Sequence, residues 1–210
     1  MDISLYTTFF ITFWFSSMFC FVIDLFAPHY RVNQDTTPYE IIFVDYYKIV
    51  PLSTFNVISA YPYFYIVQNY YLNFAPNEFN PIINFMLWLF TTDLFFYTIH
   101  RAFHTKYLYH FHSIHHQFKY TYGMGAVYAH PVEFFMANLF PVSAPMVLYR
   151  MPLEFCNFIV FFATFYTIVV SHGGYKFKLG MGHLYHHLKY KYNFGLLKTD
   201  KLLGTSFQQE

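Results

Sequence analysis

The chain has 210 residues, of which 56% are hydrophobic, 26% are aromatic and only 11% are charged. This composition exceeds what the core of one soluble domain can bury, and the long apolar runs indicate a membrane protein. The formal net charge of +1 provides no basic field, which excludes a nucleic-acid-binding function. Cys20 and Cys156 lie inside apolar runs without metal-binding or redox spacing, so we interpret both as packing residues.

Five apolar segments predict an all-α, polytopic bundle of about four to five transmembrane helices. The segments are residues 3–27, 49–67, 82–99, 132–149 and 153–170. A helix rises about 1.5 Å per residue, so roughly 20 residues cross the hydrocarbon core. No Lys or Arg precedes Arg31, so we interpret the first run as a retained anchor. Pro51 and Pro62 predict an irregular second span, and we expect a surface loop over 28–48 and an interfacial connection over 68–81.

The basic residues test this scheme. If the third span ends in the cytosol, residues 28–48, 100–131 and 171–210 share that side, and they hold eleven of the twelve Lys and Arg residues. Only Arg150 falls elsewhere. This distribution agrees with the cytoplasmic excess of basic residues in membrane proteins. It also places every histidine group on one face, in a cytosolic histidine-rich cap.

Eleven of the twelve histidines lie between His100 and His187, and most of them are grouped. The groups are His100-Arg-Ala-Phe-His104, His112-Ser-Ile-His115-His116 and His183-Leu-Tyr-His186-His187. On a helix, residues three or four apart share one face, so each group can direct several imidazoles at one small volume. A lone histidine beside an apolar helix is most often only a hydrogen-bonded side chain. The repeated His-x-x-His-His pattern favours a metal centre instead.

The number of candidate ligands predicts two ions. One tetrahedral ion takes four ligands, whereas nine strong candidates and a tenth, His130, are available. The nine, which we also expect to be catalytic, are His100, His104, His112, His115, His116, His172, His183, His186 and His187. Imidazole suits zinc, copper, nickel and iron, so the ligands alone do not select the metal. The apolar setting indicates a lipid-like substrate, whose unactivated C–H bonds require a redox metal and oxygen.

Two carboxylates are candidates for orienting the ligands. Asp93 lies inside the third span, seven residues before His100, and an acid within a span is costly. It would accept a ring N–H from a ligand histidine. Hydrogen bonding to a Tyr or Thr of another helix is the alternative. Glu133, three residues after His130, is a candidate for the same role, with an interfacial carboxylate as the equal alternative.

The order of these motifs resembles the fatty acid hydroxylase and sterol desaturase superfamily of membrane di-iron oxygenases. Beyond the three histidine groups and Asp93, the resemblance includes Tyr128-Ala-His130-Pro-Val-Glu133 and Ser171-His172-Gly-Gly-Tyr175. It ends with Asn193-Phe-Gly195 and Leu203-Gly-Thr205. The His-Pro-Val-Glu piece is more similar to the sterol-modifying branch. We therefore divide the chain into an N-terminal transmembrane region, 1–81, and a fatty acid hydroxylase-like region, 82–210, within one integrated domain.

The resemblance implies an endoplasmic reticulum enzyme that hydroxylates or desaturates a lipid, with a sterol as the favoured substrate. It implies two irons, O2, and electrons from NAD(P)H through a reductase and a cytochrome b type carrier. A recombinant sample is expected to hold iron or zinc. A fatty acid or sphingolipid hydroxylase is the alternative within the family.

Other classes of protein remain as alternatives. A haem electron carrier would use single axial histidines within spans, which the adjacent pairs His115-His116 and His186-His187 argue against. A metal transporter would carry polar groups through several spans, and we recognise only Asp93 well inside one. A non-catalytic metal-binding membrane protein is the third alternative.

Overall fold

The structure is a computed structural model that describes residues 4–32, 39–71 and 79–207. Five helices are long and apolar enough to cross a membrane, and no strand occurs among the described residues. The predicted all-α bundle with five spans is therefore confirmed, and the chain is an integral membrane protein. Parts of two predicted connections, 33–38 and 72–78, lie outside the described residues, as do residues 1–3 and 208–210.

The first two spans form an aromatic hairpin. Helix α1 covers Leu5–Phe26 and begins where the Ser4 hydroxyl accepts a hydrogen bond from the backbone N–H of Thr7. Helix α2 covers Tyr39–Ile66 and continues as the π-helical segment Val67–Tyr71. The expected surface loop over 28–48 is therefore wrong from residue 39 onward, because the apolar helix starts before Lys48. The helix also passes through Pro51 and Pro62 without ending, which is common where other helices pack around the freed carbonyls.

The third span leads toward the histidines. Helix α3 covers Pro81–Phe103, and the Asn80 side chain accepts hydrogen bonds from the backbone N–H groups of Ile82 and Ile83 at its start. A short helix, α4, covers Tyr109–His112, and two 3-10 turns follow at His115–Gln117 and Gly123–Val127. Helix α3 is therefore the only long helix between residues 81 and 130.

The remaining helices complete the bundle. Helix α5 covers Pro131–Leu148 with a π-helical part at Phe134–Leu139, and helix α6 covers Leu153–Phe165 and continues as the π-helical segment Tyr166–Ser171. Helix α7 covers Met181–Lys189, and α8 is the short turn Thr199–Leu202. Helix α1 packs against α6, where the Thr8 hydroxyl donates to the Asn157 side chain at 2.5 Å.

Large apolar side chains on the outside of the spans indicate the lipid-facing surface. Phe15, Phe26 and Ile82 are 67%, 81% and 75% exposed. Such exposure is unfavourable in water, whereas lipid tails solvate these side chains. At one end of the bundle, residues 30–32 lie beside residues 174–176 through two backbone hydrogen bonds. The predicted segments 28–48 and 171–210 thus meet at the same end of the molecule.

Candidate metal centre

The nine strong histidine candidates converge at this end of the bundle in two groups. His100 lies in the last turn of α3 and His104 caps it, whereas His172 follows the π-helical end of α6. Within each group one possible ligand nitrogen per residue lies within 4.8 Å of all the others. The five-histidine group contains His100, His104, His112, His116 and His186, and the four-histidine group contains His115, His172, His183 and His187.

In the five-histidine group, the Nε2 atoms lie around one small volume. His112 Nε2 is 3.1 Å from His100 Nε2, 2.9 Å from His104 Nε2 and 2.9 Å from His116 Nε2. His186 Nε2 is 3.0 Å from His104 Nε2 and 3.2 Å from His116 Nε2. Every ring of the group therefore directs the same nitrogen at a common centre.

The four-histidine group has a similar but looser geometry. His172 Nε2 is 3.3 Å from His115 Nε2 and 3.0 Å from His183 Nε2. The ring centroid of His187 lies 4.8 Å from that of His115 and 4.9 Å from that of His183. Neither ring nitrogen of His187 has a hydrogen-bond partner in the described part of the chain, although both are buried.

Backbone carbonyls fix the protonation of several rings. Carbonyls accept hydrogen bonds but cannot donate them, so a ring nitrogen that contacts one carries the proton. His100 Nδ1 donates to Phe194 O at 2.7 Å, His186 Nδ1 to Tyr192 O at 2.7 Å, and His172 Nδ1 to Thr167 O at 3.0 Å. In a neutral ring the other nitrogen, Nε2, is then an unprotonated lone pair.

Glu133 fixes the protonation of a fourth ring, that of His112. Its Oε1 accepts a hydrogen bond from His112 Nδ1 at 2.5 Å, and both side chains are buried. This is the contact expected of a carboxylate that orients a ligand histidine. Its other oxygen, Oε2, is buried without a hydrogen-bond partner among the described residues.

Burial keeps the rings uncharged at neutral pH. It lowers the pKa of His104 to about 4, that of His115 to about 4 and that of His186 to about 3. For His112, burial is again the main cause of a lowered pKa, and the neighbouring histidines lower it further. A neutral imidazole is the form that binds a metal ion.

These features fit one ion in each group. His100 Nε2 and His112 Nε2 both carry lone pairs and lie 3.1 Å apart, so no hydrogen bond can join them. Two nitrogens that bind one ion at about 2.1 Å and subtend about 90° lie about 3.0 Å apart. The observed separations of 2.9–3.3 Å match this value. A positive ion at each centre would remove the repulsion between the lone pairs.

Asp93 makes different contacts from those predicted. Its carboxylate accepts hydrogen bonds from the backbone N–H groups of Leu196, Leu197, Lys198 and Thr199 and from the Thr199 hydroxyl, at 2.7–3.1 Å. The prediction that it accepts a ring N–H is therefore wrong. The Asp93 carboxylate holds the C-terminal loop that supplies the Phe194 carbonyl to His100.

Two histidines of the 100–187 stretch belong to neither group. His130 begins α5, where its Nδ1 accepts a hydrogen bond from the backbone N–H of Val132 at 3.2 Å. The structure thus gives the tenth candidate a helix-capping contact and does not bring it to the other rings. His110 is exposed on α4.

A cavity of about 70 Å³ lies directly against both groups. His100 and His112 of the five-histidine group line it, together with three members of the four-histidine group, His115, His172 and His183. A second, more apolar cavity shares Ala126, Asn138, Val142 and Thr167 with it and reaches Phe9 and Phe64. Mostly apolar side chains therefore line the space between the bundle interior and the histidines.

The sequence reasoning missed two buried carboxylates near the site. Asp200 accepts hydrogen bonds from the backbone N–H groups of Phe194 and Gly195 at 2.8 and 2.6 Å, and so supports the same loop as Asp93. Asp24 is fully buried in α1 and forms an ion pair with Arg31. Asp24 lies inside the first predicted span, so the cost of an acid in a span, applied to Asp93, also identifies it.

The chain is similar to one family model and to several curated proteins. The family model described as fatty acid hydroxylase matches residues 85–205, more than half of the chain. A fatty acid hydroxylase of Mycosarcoma maydis is 26% identical over 82% of this chain and 49% of its own length. A C-4 methylsterol oxidase of Schizosaccharomyces pombe is 28% identical over 58% of this chain and 50% of its own length. A very-long-chain aldehyde decarbonylase of Oryza sativa is 36% identical over 40% of this chain and 31% of its own length.

The chain thus spans about half the length of the first two relatives and less of the third. No solved structure matches it significantly. The matched residues contain all nine histidines of the two groups, together with Asp93, Glu133 and Asp200.

Proposed function

Because this chain belongs to the fatty acid hydroxylase family, we propose that it is an integral-membrane, O2-dependent oxidoreductase that hydroxylates or desaturates a lipid. The observation that carries the proposal is the division of nine buried or half-buried imidazoles into two groups, each with the nitrogens of one ion-sized site. The similarity to the C-4 methylsterol oxidase of Schizosaccharomyces pombe supports a sterol as the substrate.

The cofactor of this proposal is a pair of irons, one in each histidine group. Zinc would fit the ligands but has no redox chemistry. With O2, two irons supply the oxidation of an unactivated C–H bond. All nine histidines would serve as ligands, and Glu133 would hold the His112 ring with its Nε2 directed at the metal.

The rest of the site would bind the lipid and exclude water. The cavity beside His100, His112 and His115 shares lining residues with the apolar cavity that reaches Phe9 and Phe64. A lipid tail in this space would present one carbon to the histidine groups, and the packed helices would determine which carbon that is. The buried position of the rings would limit access of water to the reaction.

The electron source in this proposal is NAD(P)H, through an external reductase and a cytochrome b type carrier. The basic residues that follow α6 support a cytosolic position of the histidine end, and the enzyme would lie in the endoplasmic reticulum membrane. These residues are Lys176, Lys178, Lys189, Lys191, Lys198 and Lys201.

A fatty acid or sphingolipid hydroxylase is the second candidate, because the fungal fatty acid hydroxylase aligns with 82% of this chain, whereas the methylsterol oxidase aligns with 58%. The reaction would use the same ligands and cavity. The lipid that gains oxygen or a double bond distinguishes the two candidates.

The test is expression in a membrane with its redox partners, followed by mass spectrometry of sterols and acyl lipids. We expect new oxygen or unsaturation with the unaltered chain. His186→Ala and His115→Ala, one in each group, should abolish it while the protein still inserts. His110→Ala is the matched control because that histidine is exposed and belongs to neither group. Full activity of His186→Ala or His115→Ala would contradict the proposal.

A further inference from the structure

A buried ion pair joins the first span to the backbone beside His172. Asp24 lies in α1 and Arg31 follows the helix, and their side chains are 0% and 1% exposed. Arg31 Nη1 donates to Asp24 Oδ1 at 2.7 Å. The desolvation cost of such a pair offsets much of its attraction, so stability alone is a weak reason for its presence. The other contacts of the guanidinium indicate what the pair does.

The guanidinium group also binds two carbonyls, in the segments that follow His115 and His172. Arg31 Nη2 donates to Thr121 O at 2.9 Å, and Nη1 donates to Gly173 O at 3.3 Å. Gly173 follows His172 directly, and Thr121 lies in the segment that follows His115. A planar guanidinium with donors at fixed angles holds several acceptors in one geometry, which a lysine does less well.

Backbone hydrogen bonds also join residues 30–32 to residues 174–176, and we call these contacts, together with those of the Arg31 guanidinium, the junction. Val32 N–H donates to Gly174 O and Lys176 N–H donates to Tyr30 O, both at 3.0 Å. Gly174 has a φ of +72°, and a Cβ added there would lie 2.7 Å from Thr121 O and 3.2 Å from Arg31 Nη2. Only glycine fits this position without strain. The segment after His172 is therefore held between Arg31 and Thr121.

On the basis of the proposed two-ion function, we infer that Arg31 is a positioning residue that places His172 in the four-histidine group. The five-histidine group takes its backbone acceptors from a different segment, at Tyr192 and Phe194. Arg31 and Asp24 lie outside the matched residues 85–205, so the N-terminal part of the chain would contribute a determinant of the four-histidine site.

The test uses the whole 210-residue chain in lipid nanodiscs and the double variant Asp24→Asn/Arg31→Met. Removing one partner alone leaves a buried charge and risks unfolding, whereas the double variant leaves none. The amide introduced at position 24 still accepts from Tyr46, and the methionine fills the arginine stem without donors. Lys176→Met is the matched control, because the Lys176 ammonium binds His29 O at the exposed edge of the same junction.

Two readouts separate this inference from the proposed function. Anaerobic titration with Fe2+ should give two ions per chain in the unaltered protein, and the double variant should bind its second ion about 10-fold or more weakly. In the metal-free protein, diethyl pyrocarbonate should modify His172 faster in the double variant while His186 reacts at an unchanged rate. The control should resemble the unaltered chain in both experiments.

The outcomes distinguish the role of Arg31 from the two-ion function. Two tightly bound ions and unchanged His172 reactivity in the double variant would overturn the role of Arg31 and leave the proposed function intact. Fewer than two ions in the unaltered chain would overturn the two-ion function, and His172 reactivity would then decide the role of Arg31. Equal effects of Lys176→Met and the double variant would overturn the assignment to Arg31.

Discussion

The two histidine groups differ in how the protein holds their rings. In the five-histidine group, His100, His112 and His186 each donate Nδ1–H to a carbonyl or to Glu133. In the four-histidine group, His115 and His172 donate Nδ1–H to backbone carbonyls, whereas Nδ1 of His183 and both nitrogens of His187 have no partner among the described residues. In the five-histidine group, Nδ1 of His116 likewise has no partner among those residues. Both groups are thus partly held by carbonyls, and the five-histidine group has in addition the carboxylate of Glu133 on His112. The four-histidine group, in which His187 has no such contact in the described part of the chain, depends more on the placement of the segments that carry it.

The largest expected effect comes from removing a ring. His112 Nε2 lies within 3.1 Å of three other ring nitrogens, so we expect His112→Ala to abolish ion binding by the five-histidine group and all lipid oxidation. His187→Ala should weaken ion binding by the four-histidine group only. The loss of ion binding by each group is measured by the metal content per chain and by histidine footprinting with and without metal. Loss of both ions in both variants would show that the groups are not separable.

Removing the support of His112 should have the next largest effect. Glu133→Leu removes the acceptor for His112 Nδ1, and we expect the affinity of the five-histidine group to fall by about 10- to 100-fold. Glu133→Gln keeps an acceptor oxygen and is the matched control. Metal titration should show an unchanged affinity of the four-histidine group in both variants. An equal loss of metal affinity in both groups would contradict the view that Glu133 supports only the five-histidine group.

Asp93 should have a smaller effect because it acts through the C-terminal loop. Asp93→Asn weakens the hydrogen bonds to residues 196–199, each bond to a charged group being worth about 1.5–3 kcal/mol. We expect a lower midpoint of thermal unfolding. We also expect the metal affinity of the five-histidine group to fall, but by less than in Glu133→Leu. Asp45→Asn is the control, because Asp45 binds Tyr122 away from the loop. A greater loss in the four-histidine group would contradict this assignment.

The smallest difference between the groups is expected in their response to pH. Burial lowers the pKa of His104, in one group, and of His115, in the other, from 6.5 to about 4. Between these values the unfolded chain binds protons that the folded chain does not, so the metal-free protein loses stability as the pH falls from 6.5 to about 4. Both groups should release their ions over this range. Release midpoints that differ by more than about one pH unit would contradict this expectation.

The sequence was sufficient for the bundle because span length and apolarity are local properties. It also indicated that the histidines meet at one end, since helix exits and basic residues specify a side. It did not divide the nine histidines into groups of five and four, because His115 and His116 are neighbours in the chain yet belong to different groups. That division depends on the turns around His115–Gln117, whose path is determined by tertiary contacts.

The sequence also could not give the partner of Asp93. Its position seven residues before His100 suggested a contact with a ligand ring, but the carboxylate lies against a loop more than 100 residues later. The ion pair of Asp24 with Arg31 was missed although Asp24 interrupts an apolar run. Each of these contacts joins segments that are distant in the chain, and periodicity contains no information about such pairs.

Main-chain oxygens at Tyr192, Phe194, Thr167 and Tyr128 set the tautomers of four imidazoles. Such acceptors persist whatever amino acid occupies those positions, so the side chains there are free to diverge during evolution without altering the metal ligands. Related enzymes could thus reshape the surroundings of the reaction for new lipids while retaining the inner chemistry.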